Sequence, residues 1–153
     1  MGVLENRIPP PLVATLIGVL MGGADCYLPS FDLTLGLRVA ISLPVLLLGL
    51  GVCLAGVLSF QRASTTVNPL RPEKASALVD GGIYQHTRNP MYLGFATALV
   101  AWSLMLASPF TLLGVVAFVM YMNRFQIDPE ERALRLLFGE EFVRYCSKAR
   151  RWL

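Results

Sequence analysis

The sequence predicts an all-α integral membrane protein with four transmembrane helices and amphipathic helices in a cytoplasmic C-terminal tail. Two long uncharged stretches and the placement of the cations carry that prediction. Residues 39–61 lie between Arg38 and Arg62 without a charge, and Asn89 to Asn123 form a second uncharged run of 35 residues. A helix needs about 20 apolar residues to cross the hydrocarbon core. Composition agrees: 55% of the 153 residues are hydrophobic, only 15% are charged, and the mean hydropathy is +0.59. A soluble domain carries about 25% charged residues. One membrane-embedded domain over residues 1–153 is therefore expected, with spans near 10–28, 39–61, 90–107 and 110–126.

The first span is the weakest. Pro9-Pro10-Pro11 precedes the short apolar stretch Leu12 to Ala24, and proline is tolerated in a first helical turn. A cleaved leader is the competing reading, with Arg7 ahead of an apolar core and Gly22-Gly23-Ala24 behind it. The second span is residues 39–61. The 35-residue run is too long for one crossing, and Ser108-Pro109 falls near its middle. Proline disfavours helix at the residue before it. Spans three and four thus form a tight antiparallel hairpin.

Charge orients the set. Arg7, Arg62, Arg71, Lys74, Arg88, Arg124 and every later Lys or Arg fall on one side, and Arg38 alone falls on the other. Positive-inside then places both termini, the 62–89 loop and the 128–153 tail in the cytoplasm of a multi-pass protein, with a prokaryotic inner membrane as the expected host. In the tail, Asp128-Pro129-Glu130-Glu131 reads as a capping box opening a helix that Gly139 ends. Residues 140–151 then place Phe142, Tyr145 and Cys146 on one face and Arg144, Lys148 and Arg151 on another, a helix that either lies on the membrane or closes over the core. The net charge of +3 gives no reason to expect a nucleic-acid partner. Cys26, Cys53 and Cys146 are far apart and His86 is the one histidine, so neither a metal site nor a disulfide framework is expected. Gly49, Gly51 and Gly56 make the second span smooth enough for close packing, within the chain or between copies.

The hairpin has a chemical consequence. It brings its two cytoplasmic ends together: Tyr84 to Tyr92 at one end, Asn123-Arg124 and Asp128 to Arg132 at the other. The resulting pocket joins Arg88, Glu130, Glu131 and aromatic rings, a set suited to a zwitterionic ligand with an aromatic part. Each residue also has a plainer reading. Arginines anchor helix ends, first-turn glutamates favour the helix dipole, and tyrosines populate the interface.

The ordered set Gly82-Ile83-Tyr84, Thr87-Arg88-Asn89-Pro90-Met91-Tyr92-Leu93-Gly94, Glu130-Glu131 before Leu134, Phe138-Gly139, Phe142, Tyr145 and Arg151-Trp152 resembles the isoprenylcysteine carboxyl methyltransferase family. That family's relatives methylate phospholipids and small thiols. Thr65-Thr66-Val67-Asn68-Pro69 and Leu78-Val79 resemble its bacterial branch. The resemblance implies an integral membrane methyltransferase that takes S-adenosylmethionine from the cytoplasm and a lipophilic acceptor from the bilayer. It implies a cofactor pocket of Tyr84, Arg88, Asn89, Pro90, Tyr92, Glu130 and Glu131, with Arg88, Tyr92 and Glu131 catalytic and residues 145–151 as a softer lid. Asn89 stands where the eukaryotic members have histidine, so this position cannot titrate. Under this reading Arg88 pairs with the cofactor carboxylate. Glu130 or Glu131 takes its ammonium or ribose, and a tyrosine face meets the sulfonium. A thiol or amine acceptor would benefit from a base, His86 or a glutamate, whereas a carboxylate needs none. Two other readings stand beside this one: an NADPH-dependent membrane reductase of the steroid or sterol type, and a small non-catalytic membrane scaffold.

Overall fold

The computed structural model describes residues 5–62 and 77–153; Thr65 to Pro69, Arg71 and Lys74 lie outside them. Among the described residues the chain is helical apart from one isolated β-bridge. Helix α1 is Pro10–Asp25 and α2 is Leu35–Arg62. After a 3₁₀ turn at Gly82–Gln85 comes α3, Pro90–Leu106. A second 3₁₀ turn, Pro109–Thr111, leads into α4, Leu112–Met122. Then follow a π-turn at Asn123–Ile127, α5 at Asp128–Phe138 and α6 at Glu140–Lys148.

Two helical stretches, Leu35–Arg62 and Pro109–Phe138, are long and apolar enough to cross a membrane, while Pro10–Asp25 and Pro90–Leu106 are shorter apolar helices. The apolar part of the second stretch ends at Met122. Asn123, Arg124, Gln126, Asp128, Glu130, Glu131, Arg132 and Arg135 follow and belong in water or its interface.

The hairpin breaks where proline dictates. Ala107 closes α3 in the left-handed region at φ 56°, Ser108 is extended, and Pro109 starts the next turn. Phe31 N–H donates to the Ala107 carbonyl, and the Ser108 hydroxyl donates to the Pro29 carbonyl. Arg38, the one cation at this end among the described residues, donates to the carbonyls of Leu33, Phe31 and Leu106. One of these lies at the C-terminus of α3, where the helix dipole is negative. Its charge is thereby absorbed locally.

Helix α3 is the spine. On one face α2 crosses it at glycines: a Cβ on Gly94 would sit 2.6 Å from the Gly49 carbonyl, and one on Gly49 would sit 2.8 Å from the Gly94 carbonyl. A Cβ on Gly56 would meet Pro90 and Met91 at 3.1 Å, whereas Gly51 faces open space. Backbone approaches this close are how small residues join helices in lipid. On its other face α3 packs against α1 and α4, around Val13, Met21, Tyr92, Ala96, Leu99, Phe118, Met122 and Ile127. Trp102 Nε1 donates to the Gly18 carbonyl at 3.0 Å, which ties α1 to the spine.

A second cluster forms at the polar end, where Tyr84, Phe142, Tyr145 and Ala149 pack against Phe60, Leu78, Ile83 and Phe138. Helix α6 therefore turns its apolar face onto the protein. The capping box expected at Asp128 is absent. Asp128 has helical angles, no side chain caps α5, and the chain arrives already helical from α4 through the π-turn. A helix entered from another helix has no orphan N–H groups to cap. Pro129 nonetheless leaves a mark. It has no N–H for the carbonyl four residues earlier, that of Phe125, which accepts instead from Asn6 N–H at 3.0 Å. Glu5 pairs with Arg132 beside it at 2.9 Å, so the N-terminal segment fills the gap the proline creates.

Candidate active site

The entry to α3 builds one wall of the site. Pro90 occupies the first helical position, where its missing N–H costs nothing. The preceding turn is held by its own hydroxyl, since Thr87 Oγ1 accepts from Asn89 N–H at 3.2 Å. The end of the chain then lies across this turn. Thr87 pairs with Arg150 in the β-bridge, and Arg88 N–H donates to the Arg150 carbonyl at 2.8 Å. Asn89 Nδ2 donates to the Arg151 carbonyl at 2.9 Å, and Trp152 Nε1 to Asn123 Oδ1 at 3.0 Å. Asn89, the position without a titratable ring, thus spends its amide on the tail. So does Arg88. Its guanidinium donates to the carbonyl of Ala149 at 2.6 Å, to that of Cys146 at 3.4 Å and to Glu131 at 2.8 Å. Its Nε is buried with no partner among the described residues.

The adjacent glutamates have different surroundings. Glu131 receives Arg88 and both Nε and a terminal nitrogen of Arg151, at 2.8, 3.1 and 2.6 Å. Arg151 also reaches Asp128 at 3.0 Å. Two arginines thus face two carboxylates. Burial works against the Glu131 carboxylate, but the bonds and charges of Arg151 and Arg88 outweigh it and hold its pKa below the ordinary value.

Glu130 faces the other way. Its Oε1 accepts from Tyr92 Oη at 2.5 Å and from Gln126 Nε2 at 3.0 Å. Among the described residues no cation lies within ion-pair distance of it. Desolvation pushes its carboxyl up to about 7, against the bonds from Tyr92 and Gln126 that favour ionisation, and the charge of Glu131 adds to the rise. A carboxylate fixed by neutral donors and lacking a counter-charge suits a cationic ligand group.

Tyr84 is buried at the 3₁₀ turn, its ring edge-on to Phe60 with centroids 5.4 Å apart, and its carbonyl accepts from Tyr145 Oη at 2.9 Å. Burial raises the pKa of both phenols. His86 is exposed on the same turn and belongs to neither cluster. An open groove of about 500 Å³ lies along α6, lined by Asp80, Gln85, Glu141, Arg144, Tyr145 and Lys148 among others; with the expected site it shares Gln85 and tail residues.

The structure therefore brings Arg88, Asn89, Pro90, Tyr92, Glu130 and Glu131 to one place, with Tyr84 behind them in the second cluster. Gln126 is the residue that sequence reasoning missed, because it reads as the polar end of a span. Its one signal is that it stands four residues before Glu130, on the same helix face.

The phospholipid methyltransferase family profile matches residues 37–141. An uncharacterized protein of Haemophilus influenzae is 46% identical over 63 residues, 41% of this chain and all of that protein. Protein-S-isoprenylcysteine O-methyltransferase B of Arabidopsis thaliana is 30% identical over 109 residues, 69% of this chain and 54% of its own length. The protein-S-isoprenylcysteine O-methyltransferase of Saccharomyces cerevisiae is 32% identical over 81 residues, 51% of this chain and 33% of its own. The chain spans about half the length of the plant relatives it matches. No solved structure matches it. The profile covers more than half of the chain, and the chain belongs to the phospholipid methyltransferase family, alongside the isoprenylcysteine O-methyltransferases.

Proposed function

We propose that the chain is an S-adenosylmethionine-dependent methyltransferase acting on a lipophilic, membrane-partitioned acceptor. Helices α1 to α4 would cross the membrane four times as a single domain of a prokaryotic inner membrane, with both termini and the site in the cytoplasm. The shared end of Arg88, Arg124 and Arg151 supports this orientation. So does the local neutralisation of Arg38 by three carbonyls.

The observation that carries the reading is Glu130, a carboxylate held by Tyr92 and Gln126 with no cation within ion-pair distance among the described residues. When bound, S-adenosylmethionine supplies a methyl group on a sulfonium and presents a second cation in its ammonium. Glu130 provides the negative charge for that ligand, and Tyr92 fixes the carboxylate. Glu131 and Arg88 shape the pocket by holding the tail across its mouth. Arg88 bridges Glu131 and the Ala149 carbonyl, so a ligand that drew its guanidinium away from either would couple tail closure to cofactor binding at this side chain. The acceptor would enter between helices from the bilayer, where burial of its apolar chain favours binding. Membership of a methyltransferase family weighs against the reductase and scaffold readings.

Calorimetric titration of the detergent-purified protein with S-adenosylmethionine tests the proposal. Glu130→Gln should weaken binding at pH 8 by about tenfold or more, as expected for losing a charge-assisted contact. Absence of binding in folded protein, repeated in lipid, sinks it.

A further inference from the structure

The helix running from α4 into α5 does not keep one register. Phe118, Met122 and Ile127 are all fully buried, spaced four and then five residues apart. A regular helix repeats after three or four, and the five-residue step is the π-turn at Asn123–Ile127. Gln126 occupies the position where the regular repeat would put the next core residue. It is 1% exposed, an amide where apolar packing would otherwise continue. Burying an amide is unfavourable unless its hydrogen bonds are made. Gln126 donates to Glu130 Oε1, and that same oxygen takes the Tyr92 hydroxyl.

We infer that Gln126 is a positioning residue of the site: the π-turn delivers its amide to one oxygen of Glu130, so that the other oxygen is presented to a cationic ligand. The inference rests on the reading of Glu130 as the carboxylate that meets S-adenosylmethionine. Two donors from two different helical segments converge on Oε1, one from the start of α3 and one from the π-turn. Such a pair fixes the rotation of a carboxylate as a single donor does not. Among the described residues, the ionisable groups that bear on Glu130 are Tyr92 from α3, Tyr84 from the 3₁₀ turn and Glu131 from its own helix. None supplies a positive charge, so the neutral donors alone favour its ionised form.

The test has two readouts. The first is the titration midpoint of the Glu130 carboxyl, followed by infrared spectroscopy and assigned by its loss in Glu130→Gln. Gln126→Met keeps the volume and removes the donor, so the midpoint should rise by about one pH unit. Gln126→Glu replaces the donor with a like charge, should also raise it, and serves if the methionine variant fails to fold. The second readout is S-adenosylmethionine affinity against pH. A midpoint moved up from about 7 leaves about one tenth of Glu130 ionised at pH 7 instead of half, so affinity should weaken about fivefold there and recover by pH 9. A merely structural glutamine would lower affinity equally at every pH and leave the midpoint in place. An unmoved midpoint in both variants overturns the inference. A moved midpoint in a protein whose wild type binds no S-adenosylmethionine supports the positioning and refutes the methyl-transfer reading.

Discussion

Glu130→Gln should make the protein more stable above pH 7 while impairing its site. The glutamine keeps a carbonyl oxygen for Tyr92 and Gln126 and removes the charge. The magnitude follows from linkage. The carboxyl is pushed up to about 7 in the folded protein, against an ordinary 4.5. Between those values the folded state holds a proton that the unfolded chain releases. Stability is therefore greatest below pH 4.5, declines as pH rises, and has lost this contribution once pH passes 7. Two and a half units correspond to about 3 kcal/mol. The glutamine variant lacks this term. Its stability relative to wild type should improve by up to about 3 kcal/mol between pH 4.5 and pH 8.5, or about 6–12 °C in unfolding midpoint for a chain of this size. The assay is thermal or denaturant unfolding in one detergent at both pH values, compared as a difference of differences so that residual helix in detergent cancels. An equal gap between the two proteins at both pH values would refute the reasoning, because desolvation would then not be acting on Glu130. A variant that is more stable at high pH yet binds S-adenosylmethionine poorly would show the strain of a site kept for function.

Arg88→Ala should do more than weaken ligand binding. It removes the bonds to the Ala149 and Cys146 carbonyls and leaves Glu131 with one arginine, a loss of about 2–3 kcal/mol that should speed proteolysis at the C-terminus. Arg88→Lys should recover little, since one ammonium cannot span these partners; a tail as resistant as wild type in both variants would contradict the clamp. At the crossing of α2 and α3, Gly94→Ala should cost about 1–3 kcal/mol, because its Cβ would meet the Gly49 carbonyl at 2.6 Å and Cys53 Cβ at 2.8 Å. Gly51→Ala, which meets nothing within 4 Å, should be neutral or stabilising by up to about 1 kcal/mol in the same unfolding assay.

The helices and the meeting of the two hairpin ends were legible because both follow from local rules. An uncharged run of 35 residues, against about 20 for one crossing, is expected to turn back, and Ser108-Pro109 says where. Once it turns, Tyr92 and Glu130 are brought together across 38 residues of sequence without further information. What was hidden depended on a partner supplied from elsewhere in the chain. Asp128-Pro129 looks like a helix start, and it would be one had α4 stopped; the incoming helix removes the orphan donors that a cap serves. The carbonyl freed by Pro129 is met by Asn6, and nothing in the sequence near either residue announces the other. Arg88 reads as a ligand-binding cation, and nothing in its local sequence announces that Glu131 and the tail carbonyls also meet it.

The two glutamates show the same limit at its sharpest. They are chemically identical neighbours, and local physical rules offer no ground for telling their surroundings apart. Successive residues on a helix point about 100° apart, so a single step along α5 changes the surroundings completely. Glu131 points at two arginines and becomes part of the structure that holds the tail. Glu130 points at a phenol and an amide, keeps an uncompensated charge and titrates near neutrality. A pair that reads as one motif divides into a carboxylate paired with arginines and a carboxylate held by neutral donors. The division is made by Arg151, twenty residues downstream of Glu131, which pairs with that carboxylate, whereas among the described residues no cation lies within ion-pair distance of Glu130.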